Sequence, residues 1–349
     1  MMAFLKRHRR RIAWFVLPYL ALLFLAAYPL EDWRITAPGG VSPLEERLNL
    51  PGFETYELSG TYSSTYIIDP QHTTFLQLIF ATFSEATDVS AVPITLRGVS
   101  PSDEFERASI ARENADNKAV LLAYYMLGFD IETLYTTHNV ITFINHTFAT
   151  APGLSMRDEV LDILVDGTSV GDDPTAVACD VAMTMLVRKH GEDDVTTVPG
   201  IIKHRDELGR CISSIRTETY YALTDEAPVD TAPTWIVGPS GGLMMFLQLY
   251  DSLIEEDLLQ GRHVAGTGTL SLRVEEGEVI GVVGSVGGVK QKVIAADAAG
   301  AEIFFVPPGS NETLYLQALD TVERFGLSIE VVRVETWLDA IAYLRGESP

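Results

Sequence analysis

A chain of 349 residues, 47% of them hydrophobic and 21% charged, holds ample material for a packed core in two or three domains and is not a disordered polymer. The formal net charge of -23 is unevenly placed: residues 1–30 carry five cations (Lys6, Arg7, Arg9, Arg10 and Arg11) and no acid, so the remainder stands at -28. A surface that acidic repels phosphate backbones and argues against nucleic acid as a partner.

The first element is the most strongly marked. "KRHRRR" precedes "IAWFVLPYLALLFLAAYPL", residues 12 to 30, nineteen positions without a charge. As a helix this run reaches about 28 Å, close to the thickness of bilayer hydrocarbon. Pro18 inside it is better tolerated in a membrane helix than in a soluble one. The basic flank predicts a cytoplasmic N-terminus, with everything after residue 31 outside the cell membrane. A cleaved signal peptide is the competing expectation, but the run exceeds a usual h-region and no small-x-small site closes it. The expectation is therefore a single-pass anchor with residues 12–30 in the lipid bilayer. Cys179 and Cys211 then lie in the exported portion, where a disulfide is permitted. Two buried free thiols suit their spacing equally well. Neither cysteine sits in a CxxC or near a histidine cluster, so no metal site is expected, and nothing calls for a cofactor.

Beyond the anchor, "TAPGGVSPLEERLNLPG" reads as an irregular stalk rich in Pro and Gly. "TYELSGTYSSTYII", 55 to 68, suits a pair of strands broken at Gly60. "TFLQLIFATF" is helical in pattern, and "DEFERASIARENADNKAVLLAYYMLGFD" predicts a long amphipathic helix closed by Gly128. "NVITFI" is rich in strand formers, and "DEVLDILVDGTSV", 158 to 170, predicts a strand turning at Asp166-Gly167. "PTAVACDVAMTMLVRKH" is expected to be a helix and "DDVTTVPGIIKHRDE" an extended segment, the order of a small binding module. From about 233 the pattern turns α/β. "TWIV" predicts a short strand, followed by a helix with Leu243, Leu247 and Tyr250 on one face. "HVAGTGTLSLRV" and "GEVIGVVG" predict strands, "VKQKVIAADAAGA" a helix, "EIFFVPP" a strand and "NETLYLQALDTVERFG" a helix. "LSIEVVRV" and "ETWLDAIAYL" follow as strand and helix.

Chemistry gathers around Gly238-Pro239-Ser240-Gly241-Gly242, which fits the G-x-S-x-G template of a nucleophile held at the head of a helix. The plain alternative is a turn and a capped helix, since Ser is a favoured N-cap. A Ser-His-Asp arrangement of that type needs Asp and then His downstream. Only His263 follows Ser240, 23 positions on, which is cramped. A lysine can serve instead. Lys290 and Lys292 follow the pair Gly287-Gly288, and Lys292 is flanked by Val293, Ile294 and Ala295. Apolar surroundings disfavour an ammonium, and a neutral amine near pH 7 can take a proton from a serine hydroxyl.

"GPSGG", "AGTGTLS" and "GGVKQKVIAADAAGAEIFFVPP" occur in the order found in the Lon protease proteolytic domain, which this region resembles. With its anchor, "APGG" stalk and middle module, the chain is similar more specifically to membrane-anchored, PDZ-containing Lon-like proteases of bacteria. The resemblance covers 233 to 307 well and 35 to 130 less closely. It implies an α/β (α+β) fold, a Lon-type proteolytic domain with an inserted PDZ-like module and an N-terminal transmembrane helix. The segments would be a basic flank and anchor (1–34), an N-terminal part of the proteolytic region (35–137), the PDZ-like module (138–225) and the catalytic domain (226–349).

By the same resemblance Ser240 is the nucleophile, Lys292 rather than Lys290 the general base, and Thr267 the residue that orients the lysine. Backbone N–H groups around Ser240 would form the oxyanion hole, with Gly241 standing where the family usually has Ala. The Thr267–Lys292 segment is about seven residues longer than is usual in the family, and an insertion that displaced Lys292 would break the dyad. No G-x-x-x-x-G-K-[ST] occurs in these residues, so unfolding driven by a P-loop of their own is not expected. The function implied is an ATP-independent, membrane-anchored serine endopeptidase acting on unfolded or extended polypeptides, possible as a homo-oligomeric ring. The alternative is a decayed scaffold that binds peptides through the middle module.

Overall fold

In the computed structural model, which describes residues 2–45, 47–70, 73–275 and 278–347, the run expected to be a stalk is a strand. Trp33–Pro43 belongs to a six-stranded sheet whose order is Glu330–Arg333, Ile303–Val306, His263–Gly266, Thr61–Ile68, Trp33–Pro43, Asp88–Ala91. The first four strands are parallel and the last two pair antiparallel. Pro38 and the glycines that suggested a stalk mark a shift in register between Pro38 and Gly40, a bulge of the kind that accommodates Pro and Gly within a sheet. A Cβ on Gly39 would stand 2.4 Å from the Tyr66 carbonyl oxygen, so only glycine fits against that neighbour. Of the predicted strand pair at 55–68 only Thr61–Ile68 forms, and "TWIV" (234–237) is not a strand.

The described residues include seven α-helices: α1 (Met2–Ala27), α2 (Phe75–Ala81), α3 (Pro101–Met126), α4 (Gly242–Ser252), α5 (Val289–Ala298), α6 (Thr313–Phe325) and α7 (Trp337–Leu344). The long helix α3 starts as its sequence dictates. Ser100 caps it by accepting from Asp103 N at 3.1 Å, Pro101 occupies the first turn, and Asp103 and Glu104 complement the dipole. It ends before Gly128, whose φ is +87°.

Alternation along the central strands divides the core. Val264 and Phe305 face α3, α4 and α7, whereas Ala265, Phe304 and Val306 face α5 and α6. Helix α4 is buried on every side from Gly242 to Asp251, so its predicted apolar face is only part of a wholly interior helix. Even Asp251 is enclosed. It accepts from Tyr62 Oη at 3.0 Å and Leu258 N at 3.0 Å, and burial pushes its pKa up to about 6.

Between α3 and α4 the chain leaves this domain and builds an antiparallel sheet from Tyr135–Ile144 to Ile215–Leu223, around its own core of Ile141, Ile163, Met183, Met185, Val187 and Ile201. The Asp166-Gly167 turn forms with both residues at positive φ, as their types allow. The helix expected over 174–190 does not form. Pro174–Ala176 is a short 3-10 turn, and Ala182–Arg188 is a strand, because Met183, Met185 and Val187 are buried at every second position. No α-helix lies between Tyr135 and Leu223 among the described residues. Cys179 and Cys211 form a disulfide within this module. Asn145 fastens the module to the segment before α3, donating to Thr95 O at 2.9 Å and Arg97 O at 3.0 Å.

At the N-terminus, α1 stops at Ala27, short of the predicted residue 30. Pro29–Leu30 instead pairs with Thr73–Thr74. Among the described residues no helix is long and apolar enough to cross a membrane. The side chains of the basic flank and of residues 12 and 13 lie outside that description.

Candidate active site

Gly238 has φ +100° and ψ 151°, a conformation open to glycine and strained for other residues, and its N–H is held by Ala108 O of α3 at 3.0 Å. This turn delivers Pro239, Ser240 and Gly241 as a short 3-10 segment running directly into α4. Ser240 is half-buried at the head of that helix. Its carbonyl accepts twice from the loop after His263–Gly266: from Gly268 N at 2.7 Å and from Thr267 Oγ1 at 3.1 Å. Leu243 N returns a bond to Gly268 O at 3.2 Å, so the Ser240 turn and the "AGTG" loop are laced together.

The lysine comes from the far side of the sheet. Gly288, left-handed at φ +69°, starts α5, and one turn later Lys292 projects inward. It is 3% exposed and Thr267 is fully buried. Lys292 Nζ donates to Thr267 Oγ1 at 2.9 Å. Desolvation alone lowers the amine's pKa to about 7. Since the single proton of Thr267 points to the Ser240 carbonyl, Thr267 can only accept from the amine. A neutral Lys292 therefore keeps its lone pair free of Thr267. No hydrogen bond joins Ser240 Oγ to Lys292 Nζ among the described residues.

The segment between Thr267 and Lys292 leaves this contact in place: it forms a hairpin, Thr269–Glu275 with Glu278–Gly284, in register from Thr269 opposite Gly284 to Glu275 opposite Glu278. Gly241 lies beside Ser240, and a Cβ there would meet Ser64 Cβ at an ordinary 3.4 Å. Lys290 is elsewhere, paired with Asp88 at 2.6 Å. His263 stands at the other end of its strand with Nε2 2.9 Å from Ser63 Oγ, so it belongs to no triad with Ser240.

Ser240 also borders a small cavity, about 20 Å³, that the sequence did not announce. Its wall includes Ser64, Arg47, Arg112 and Asp116, contributed by segments far apart in the chain. A larger cavity of about 280 Å³ opens between α3 and the module's sheet, lined by His138, Arg157, Arg188 and Tyr220 and by none of the expected site residues. Arg157 there is held by Glu113 at 2.7 Å and Arg188 by Glu159.

The fold and this site describe a mixed α+β domain with a serine at a helix head and a desolvated lysine behind it. Residues 228–341 match the Lon protease (S16) C-terminal proteolytic domain, a domain of serine peptidases. No curated protein matches the chain. The matched segment supplies three strands of the central sheet; the other three, Thr61–Ile68, Trp33–Pro43 and Asp88–Ala91, precede the module.

Proposed function

We propose that the protein is a serine endopeptidase in which Ser240 and Lys292 form the catalytic dyad and Thr267 positions the lysine. The observation that carries this reading is the buried amine of Lys292, hydrogen-bonded to a threonine whose own proton is turned toward Ser240 and with its pKa lowered by burial to about 7. Neutral Lys292 takes the proton from Ser240 Oγ as the oxygen attacks a peptide carbonyl. The oxyanion of the tetrahedral intermediate is stabilised by the positive end of α4 and by backbone N–H groups around Ser240. The resulting ammonium gives its proton to the departing amine, leaving an acyl-serine. Water, deprotonated by the same lysine, releases the acid and restores the hydroxyl. Substrates are extended or unfolded polypeptides, and no ATP is consumed, consistent with the lack of a P-loop in these residues.

Ser240→Ala and Lys292→Ala should each abolish cleavage of an unfolded casein-like protein, with circular dichroism unchanged. Normal turnover by Lys292→Ala overturns the dyad. A non-catalytic peptide scaffold predicts, instead, no labelling of folded protein by a serine-directed acylating probe.

The same reading places the domain outside the cell membrane, anchored by the charge-free run 12–30. Trp14, Phe15, Leu17 and Phe24 of α1 are exposed, which favours a lipid environment, and a disulfide favours an oxidising compartment. Extraction of the full-length protein from membranes by alkaline carbonate, without detergent, removes this part of the proposal.

A further inference from the structure

Helix α2 presents an apolar face that no described residue covers. Phe75, Ile79 and Phe80 share one side of it and are exposed, whereas Ala81 on the opposite side is buried. Phe80 is 66% exposed and Phe83, just past the helix, 82%, so two aromatic rings face outward together. The whole stretch "TTFLQLIFATFS", 73 to 84, has no charged residue. The face is also held in place. Thr74 and Gln77 close a capping box at its start, and Phe83 N donates to Phe80 O at 3.1 Å at its end. Beyond it, Lys290 donates to Glu85 O at 3.0 Å and pairs with Asp88 at 2.6 Å, which ties the segment to α5.

The neighbour of this face is α1. Pro29–Leu30 pairs with Thr73–Thr74, Phe75 N donates to Tyr28 O at 3.3 Å, and α2 lies against α1. Helix α2 therefore begins one strand spacing from the end of α1, and its seven residues carry it only about 10 Å further. The side chains of α1 from Trp14 onward are exposed almost throughout. Tyr28 and Trp33, half exposed on either side of the turn out of α1, are residue types that favour a membrane–water boundary.

Resting on the anchored reading above, we propose that α2 is a second lipid contact, an interfacial helix that seats Phe75, Ile79, Phe80 and Phe83 in the headgroup region beside the end of α1. The contact is apolar: no cation lies between 73 and 84 in a chain of net charge -23, so anionic lipid is not required. Through Lys290 it also holds α5, the helix of Lys292, at a set height above the bilayer.

The test uses the full-length protein in neutral phosphatidylcholine vesicles. Cys179 and Cys211 are paired, so Phe80→Cys, Phe83→Cys and, as a control in the module, Val195→Cys each add a single thiol for an environment-sensitive fluorophore. All three positions are exposed, and far-UV circular dichroism matching the wild type verifies the fold. Lipid carrying a nitroxide high on its acyl chain should quench the labels at positions 80 and 83 about twofold or more and leave the label at 195 unchanged. Quenching no greater than at 195, in protein that resists carbonate extraction, overturns the α2 contact and leaves the anchor standing. Release of the protein by carbonate overturns the anchor and this contact with it. Labels at 83 that quench one another but not with the nitroxide lipid assign the face to a second copy of the chain and overturn the lipid contact.

Discussion

Thr267 Oγ1 accepts from Lys292 Nζ at 2.9 Å while donating to the carbonyl of Ser240 at 3.1 Å, so one hydroxyl ties the proposed base to the backbone of the proposed nucleophile. Thr267→Val removes both bonds and Thr267→Ser keeps them. The valine variant should lose about 10- to 100-fold in kcat, as expected for loss of positioning. The threonine oxygen favours the charged amine, so its removal should also move the pH-rate midpoint to lower pH. The serine variant should recover most of the rate and the midpoint. An unshifted midpoint in Thr267→Val denies the threonine this role.

The amine's depressed pKa fixes the direction of two pH effects. The proposed mechanism needs neutral Lys292, so kcat/KM should rise tenfold per unit at low pH and level off above about 7. Stability moves the same way. Unfolded, the lysine titrates near its ordinary value of about 10.4, so between about pH 7 and 10 the unfolded chain binds one more proton than the folded chain. Folding stability should then rise through that window by about 1 kcal/mol per pH unit relative to Lys292→Met, with no further contribution below it. Denaturant midpoints of the two proteins from pH 6 to 10 check this; parallel curves would falsify the buried, neutral amine.

Two neighbouring glycines should answer differently to alanine. Gly238 sits at φ +100° with nothing within 4 Å of a Cβ, so Gly238→Ala should cost about 1–3 kcal/mol from backbone strain alone. Gly241 has φ −93° and ψ −2°, and its Cβ would make only ordinary contact with Ser64. Gly241→Ala should therefore be neutral or stabilise by about 0.4–1 kcal/mol through the unfolded state. Thermal denaturation of both variants separates the cases.

The disulfide closes a loop across a separation of 32 residues, for which the chain-entropy relation gives roughly 3–4 kcal/mol. Replacing both cysteines by serine should lower the stability of the module by about that amount. The proteolytic domain has its own core, so peptide hydrolysis at low temperature should persist.

What could be read in advance was local. "GPSGG", "AGTG" and "GGVKQK" each encode a turn and a reactive side chain within a few residues, and the turn chemistry survives intact around Ser240 and Lys292. The strand Trp33–Pro43 escaped because its prolines and glycines look like punctuation until Tyr66, across a bulge, supplies the reason for them. The run 174–190 escaped because a two-residue period in "AMTMLVR" was masked by helix-favouring Ala, Met and Leu. The cluster of Arg47, Arg112 and Asp116 had no sequence signal. Its members meet only when α3 packs beside the Ser240 turn, and no short pattern encodes that meeting.

The position of the module has a consequence for how the molecule comes into being. Thr61–Ile68 must wait for His263–Gly266, about two hundred residues later, before it gains its parallel neighbour. The antiparallel module between them can close while the ribosome is still adding the rest. The serine, the lysine and the threonine all belong to the late portion, and their common floor is laid only when early and late strands join. A nascent chain therefore has no assembled form of the proposed site to turn on itself or its neighbours until that junction is made.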